Sequence, residues 1–352
     1  MMQISPEIQL FIREHSSDDV RVLALQAKKY PDIDMPTVIT QIAGRKVAAE
    51  KIPSWWEIEK IWYPKHLSLE QCSSEITARY KARLLQGDSL TDLTGGFGID
   101  CSFLATGFKS ATYVERQEEL CEIAAHNFPV LNLNHINIKN EDGVTYLQAM
   151  SPVDCLFLDP ARRNEHGGKT VAISDCEPNV AELEELLLQK ANRVMIKLSP
   201  MLDLSLALKE LKQTQEVHIL SVNNECKELL ILLGQTSPAE ISIHCVNLFT
   251  KGTQKEQHFV FTREQEQCSE CTYTDSLETY LYEPNASLLK AGAFRSIAAA
   301  YPVRKLHPNS HLYTSDTFIE NFPGRIFRIV NQCSFNKKEV KENLADLKKA
   351  NV

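Results

Sequence analysis

Four carboxylates stand where short apolar runs end: Asp92, Glu115, Asp142 and Asp159. The first opens the stretch Asp92-Leu-Thr94-Gly95-Gly96-Phe97-Gly98-Ile-Asp100, an acid followed by a glycine-rich turn that leads into a helix. Glycines let the backbone turn sharply and let a ligand approach the main chain. Such a turn fits a dehydrogenase or a plain strand-to-helix connection equally well, and the next strand discriminates. It ends Thr-Tyr-Val-Glu115-Arg116, where a carboxylate can accept hydrogen bonds from both hydroxyls of a ribose. The pair of motifs points to an adenosine-type cofactor.

Two choices then remain for that cofactor. A dinucleotide needs glycines spaced to seat a pyrophosphate, and an acid at the helix start repels that group. Asp92 and Asp100 suit the ammonium of a methionine moiety instead, so the expected cofactor is S-adenosyl-L-methionine. Asp142, in Asn-Glu-Asp142-Gly, can hydrogen-bond an adenine amino group or simply cap a solvated turn. The fourth run ends Asp159-Pro160-Ala161-Arg162-Arg163. There an aspartate can take a hydrogen bond or proton from an amino group, and the proline stiffens the turn that presents it.

These residues need a scaffold that brings strand ends together. Apolar runs at 90–93, 111–114, 136–138, 155–158, 193–197 and 217–221 alternate with helical stretches at 117–127 and 180–190. That alternation predicts a parallel sheet with helices on both faces, an α/β Rossmann-like architecture. Residues 1–86 read as a helical domain punctuated by Pro31, Pro36, Pro53 and Pro64. Residues 87–238 read as the cofactor-binding domain. Residues 239–352 read as an α+β domain, with alternating strand pattern and a helix over 286–300. The aromatic group Trp55, Trp56, Trp62 and Tyr63 reads as core of the first domain, with a base-stacking platform as the alternative. Residues 71–81 read as a helix capped by Ser73 or Ser74, and Ser74 and Glu75 are further site candidates. The chain ends just after a helix-like stretch, 337–349, with no closing strand, as a C-terminally truncated chain would.

Composition narrows the setting. The chain has 352 residues, enough for two or three domains, and a net charge of −8. Lysine plus arginine against aspartate plus glutamate runs 12 to 12 over 1–90, 12 to 21 over 91–235, and 14 to 13 over 236–352. The acidic excess sits in the catalytic segment, so a nucleic-acid partner would have to be held by the flanks. No apolar run reaches the roughly 18 residues of a membrane span and no secretory signal is visible, so the expectation is a cytoplasmic protein with reduced cysteines. Cys268 and Cys271 are spaced like half a zinc site, and Cys245, His258 or Cys333 would have to complete it.

Together the motifs at Asp92 to Gly98, Glu115, Asp142 and Asp159-Pro160 resemble the class I methyltransferases over residues 72–235. The run Asp92, Thr94, Gly96, Gly98, Asp100 followed by Glu115-Arg116 is similar to the bacterial ribosomal RNA guanine-N2 methyltransferases. A whole-chain resemblance is to a bacterial methyltransferase group with a THUMP-like C-terminal domain, carried by Asp159 to Arg163, Lys197-Leu-Ser-Pro200 with Asp203, Tyr280 to Asn285 and Lys290 to Phe294. That resemblance implies an RNA substrate, rRNA or tRNA, and the reaction expected of Asp159, Pro160 and Arg162 is methylation of an exocyclic amine of a base. Amino-group methyltransferases carry a stacking aromatic after Asp-Pro; here Ala161 and Arg162 stand instead, so either Arg162 stacks on the base through its guanidinium plane or the substrate is not a base amine. RNA uracil-C5 methyltransferases share Asp-Pro-Ala-Arg but need a cysteine near residue 197, and none is present. The rival expectations are a protein or small-molecule substrate, and cofactor binding without turnover.

Overall fold

The computed structural model describes residues 4–162, 172–236, 238–334 and 336–345, with His66, Leu67 and Arg162 described by backbone alone. Its strands, in chain order, are β1 (Ser89–Asp92), β2 (Ser110–Glu115), β3 (Ile136–Asn140), β4 (Val153–Leu158), β5 (Ala161–Arg162), β6 (Cys176–Glu177), β7 (Ala191–Leu198), β8 (Thr214–Val222), β9 (Glu225–Gly234), β10 (Ser242–Leu248), β11 (Glu256–Thr262), β12 (Tyr280–Pro284), β13 (Arg304–Lys305), β14 (Tyr313–Ser315) and β15 (Gly324–Arg328). Nine of them form one sheet in the order β11-β10-β8-β9-β7-β4-β1-β2-β3. From β1 the chain winds outward through β2 and β3, then returns to place β4 on the other side of β1. In open α/β sheets that reversal opens a crevice beyond the carboxyl ends of the strands. Asp92 and Asp159 sit at those ends, on the neighbouring strands β1 and β4, with Asp92 in register with Phe157.

The central strands are parallel, as expected, but β9 runs antiparallel to both β7 and β8. The reason is local. Only Asn223 and Asn224 separate β8 from β9, both with positive φ (49° and 67°), and a two-residue turn of this kind closes a hairpin. A parallel return needs a crossover of a dozen or more residues. The boundary drawn after residue 238 falls between strands of this one sheet, because β10 pairs with β8 and β11 with β10.

Helices Pro6–Glu14, Met35–Lys51 and Pro53–Trp56 each begin with proline in their first turn, where its missing N–H costs nothing. The prolines therefore start helices as well as separating them. Trp55 and Tyr63 are buried, and Trp62 lies flat on His126 at 3.8 Å between ring centroids. Asn127 clamps the same segment, accepting from the Trp62 N–H and donating to its carbonyl, both at 2.9 Å.

A second sheet, ordered β13-β14-β12-β15, is antiparallel throughout. The helix expected over 286–300 is two helices, Ala286–Ala291 and Phe294–Ala300, broken where Gly292 adopts a left-handed φ of 77°. Tyr282, Leu288, Ile297 and Phe322 bury here and join the apolar cluster under β8 and β10. Cys268 and Cys271 are not grouped with a third metal-ligating side chain among the described residues. No helix there is long and apolar enough to cross a membrane.

Candidate active site

The glycine-rich turn is built around Tyr113, a fully buried residue of β2. Gly95 lies against its ring, and an added Cβ would come within 2.3 Å of it. The Tyr113 hydroxyl donates to the Gly96 carbonyl at 2.5 Å. Gly96 and Gly98 have φ of 53° and 87°, which side chains rarely adopt, and Gly98 caps helix Ile99–Ala105. Replacing Gly95 by alanine is expected to cost about 1–3 kcal/mol of stability from overpacking. It should also abolish cofactor binding, read by urea unfolding and by calorimetric titration with S-adenosylhomocysteine; unchanged binding would remove this turn from the site.

Glu115 closes the turn from the far side. Its Oε2 accepts from the Gly96 N–H at 2.9 Å and its Oε1 from the Gln117 N–H at 2.8 Å, so the carboxylate is fixed while each oxygen keeps a lone pair for a ribose hydroxyl. Asp142 caps helix Gly143–Ala149 through Oδ1, which accepts from the Val144 and Thr145 N–H groups at 3.0 Å; Oδ2 takes neither bond. Arg116 is on the surface in an ion pair with Glu177. Phe97 is buried against Trp55 (5.2 Å between centroids), so it ties the turn to the N-terminal helices.

Asp92 is a strongly perturbed acid of the site. Burial pushes it up to about 8, against a backbone hydrogen bond from Thr94, and the neighbouring Asp100, Asp159 and Glu115 push the same way. Its Oδ1 accepts from the Thr94 N–H at 2.9 Å, and its buried Oδ2 has no partner among the described residues. An acid raised from 3.8 to about 8 holds a proton in the native state that the unfolded chain has already lost between those values. Stability contributed by this group therefore falls as pH rises through that window, by about 1.4 kcal/mol per pH unit at most. Urea midpoints of the cofactor-free protein should fall between about pH 5 and 8, and less steeply in Asp92→Asn; parallel profiles would contradict the assignment.

Asp100, expected to face a ligand ammonium, is occupied otherwise. It pairs with the fully buried Lys81 at 2.8 Å and with Lys197 at 3.6 Å, and its Oδ2 accepts from the Ser73 hydroxyl at 2.7 Å. Burial alone would raise Asp100, but Lys81 and Lys197 hold it below the usual carboxylate range. Lys81 also pairs with Glu228 of β9 at 2.7 Å. Lys197, from the end of β7, contacts Asp159 Oδ2 directly. Burial alone would lower its ammonium, yet Asp159, Asp100 and Glu228 raise it above the lysine range, so it stays charged. Asp159 is raised by burial, with Lys197 offsetting part of the effect. Its backbone N–H donates to Thr94 Oγ1 at 2.6 Å, which locks the β4 terminus to the β1 terminus.

Ser73, Lys81, Lys197 and Glu228 were not apparent as site residues from the sequence; only the stretch Lys197-Leu-Ser-Pro200 at a strand end gave a signal. Glu75 serves the scaffold, accepting from the Ser54 N–H and pairing with Arg79. Ser74 starts helix Glu75–Ala82 without a side-chain cap bond. Pro160 is buried, Ala161 lines the cleft, and the Arg162 backbone pairs with Cys176 in the β5-β6 ribbon. The Arg162 side chain and residue 163 lie outside the described residues.

Asp92, the glycine-rich turn, Asp100, Glu115, Asp142, Asp159, Lys197 and Glu228 line one cleft of about 2020 Å³, roughly twice the upper end for a single small-ligand site. Its described lining holds twelve aspartates and glutamates against six lysines and arginines.

The chain is 35% identical to a protein from Porphyromonas gingivalis W83 whose crystal structure is provisionally described as that of a methyltransferase; the match covers 96% of this chain and 85% of that one, with a TM-score of 0.84. The chain belongs to the methyltransferase family of that protein. The comparison of this methyltransferase with curated proteins returned no match. A family model described as a ferredoxin-like domain matches residues 280–323, the span from β12 through the two helices after it to β13 and β14. Two further solved structures are similar over part of the methyltransferase. One, from Vibrio vulnificus YJ016, is provisionally described as a modification subunit of a type I restriction enzyme (12% identity, 57% of this chain, 56% of that chain, TM-score 0.39). The other, a Streptococcus mutans protein provisionally described as a methyltransferase, was crystallised with S-adenosylhomocysteine (14%, 46%, 96%, TM-score 0.33). Scores this low transfer no function, and the site stands on its own residues.

Those residues fit the cofactor. The orphaned Asp92 oxygen, the open space beside Gly96, where an added Cβ would meet only the Thr94 carbonyl at 3.8 Å, and the free lone pairs of Glu115 provide acceptors and room for a cationic nucleoside.

Proposed function

We propose that this methyltransferase modifies an exocyclic amine of an RNA base, in rRNA or tRNA, with Asp159 as the group that meets the amine. The observation that carries the reading is Asp159 itself, held at the mouth of β4 by Lys197 on one oxygen and by Thr94 on its backbone. Asp92 and the Gly95–Gly98 turn would hold the methionine end of S-adenosylmethionine, Glu115 the ribose and Asp142 the adenine. Bound there, the cofactor supplies a methyl group on a positively charged sulfur, which the acid-rich lining suits. Asp159 accepts a hydrogen bond from the amine N–H, turns the nitrogen lone pair toward the methyl, and takes the proton the nitrogen gives up. A carboxyl raised by burial is a better proton acceptor than an ordinary one. Pro160 keeps the turn rigid, so orientation supplies much of the rate.

The RNA reading is supported by the positive residues that follow Ala161 in sequence, Arg162, Arg163 and Lys169, and by the resemblance of the whole sequence to the bacterial methyltransferase group with a THUMP-like C-terminal domain. Only a base turned out of its stack would enter the acidic cleft, the phosphates staying outside. One observation favours a second reading: twelve acids against six bases in the described lining would also attract an amine on a protein or small molecule. Tritium transfer from labelled S-adenosylmethionine to unmodified total RNA and to protein extract separates the two. Ribonuclease-sensitive label supports the RNA reading; label confined to protein overturns it.

A further inference from the structure

A group of metal-ligating side chains lies on the other part of the large sheet, away from the cofactor turn. Glu216 and His218 are two apart on β8 and share a face, and His244 of β10 is in register beside His218. One ligand atom from each lies within 4.8 Å of the other two. We propose that Glu216, His218 and His244 bind a divalent first-row transition metal of the zinc, cobalt or nickel class, which pins helix Glu75–Ala82 to the sheet.

The surrounding bonds sort the ligand atoms. The Tyr80 hydroxyl, from that helix, sits 2.8 Å from His218 Nδ1 and leaves Nε2 for the metal. That Nε2 lies 3.3 Å from Glu216 Oε2, close to the spacing of two ligands at about 2.0–2.2 Å from one ion. Arg193 holds the other carboxylate oxygen at 3.3 Å, an outer-shell contact that fixes Glu216. His244 stacks on His218 with centroids 4.3 Å apart and planes 13° from parallel, so ligation requires its ring to tilt until the two lone pairs converge. His258 Nε2, 3.2 Å from His244 Nδ1, supports the tilted ring or completes the set. Two imidazoles and one carboxylate with an open position suit zinc-class ions and not magnesium or calcium.

Cobalt titration of the full chain tests this, because cobalt distinguishes its ligands by absorption. Expected are saturation at one ion per chain, visible d–d bands without the near-ultraviolet band of thiolate ligands, competition by zinc, and a raised melting temperature. Glu216→Gln and His244→Asn, both outside the deepest core, should each weaken binding by about tenfold or more while the metal-free variants melt like wild type. A thiolate band, no saturation by about 1 mM, or variants that bind like wild type would each overturn the site. Asp159→Asn serves as the control and should bind cobalt unchanged.

Discussion

Asp159→Asn should lower methyl transfer by about two to four orders of magnitude while S-adenosylhomocysteine affinity stays within about threefold. The substitution keeps the shape of the β4 terminus and the backbone bond to Thr94, so the cradle at Asp92 to Gly98 and Glu115 is left standing. What is lost is a charged acceptor for the amine proton. An amide oxygen still accepts a hydrogen bond but cannot take the proton, so the loss falls on turnover and not on cofactor binding. The pH profile adds a second check. Burial raises Asp159, so the rising limb of wild-type turnover should lie above the ordinary carboxylate range and should vanish in the variant. Activity within about tenfold of wild type would show that Asp159 is not the acceptor.

The part of this site that sequence made legible is the part built by neighbours along the chain. Asp92, the glycines after it and Glu115 each mark a strand end, and strand ends converge wherever the order of a parallel sheet reverses. The charge cluster was not legible. Ser73, Lys81, Asp100, Lys197 and Glu228 come from two helices, two strands and the connection between two helices, and nothing in a lysine at position 81 distinguishes a buried cation from a solvated one. Asp100 shows the cost: an acid in a cofactor loop reads as a ligand, but two lysines from distant segments take its charge. Phe97 has a structural role that its place in the loop does not reveal, since its ring packs on Trp55. The antiparallel β9 had a local signal in Asn223-Asn224, but a run as apolar as Leu229 to Leu233 is equally at home in a parallel strand.

The largest stability effect is expected at Lys81→Met. Lys81 has no exposed surface, and its ammonium meets Asp100 at 2.8 Å, Glu228 at 2.7 Å and the Ser73 hydroxyl at 2.7 Å. Methionine fills much of the same volume, so packing changes little and the effect is electrostatic. Removing one of the two cations leaves the carboxylates of Asp100, Asp159 and Glu228 to share Lys197. Breaking a buried pair from one side costs about 3–5 kcal/mol, because the remaining charge stays out of water without its partner. That is a large share of the roughly 5–15 kcal/mol that holds a folded domain together. The double variant Lys81→Met/Glu228→Gln should recover part of the loss, since one of the stranded charges goes with it, and the recovery measures the coupling. Urea unfolding of the two single variants and the double variant gives the cycle. A loss below about 1 kcal/mol for Lys81→Met would mean that solvent reaches the cluster and that Lys197 alone holds Asp100 and Asp159 in place.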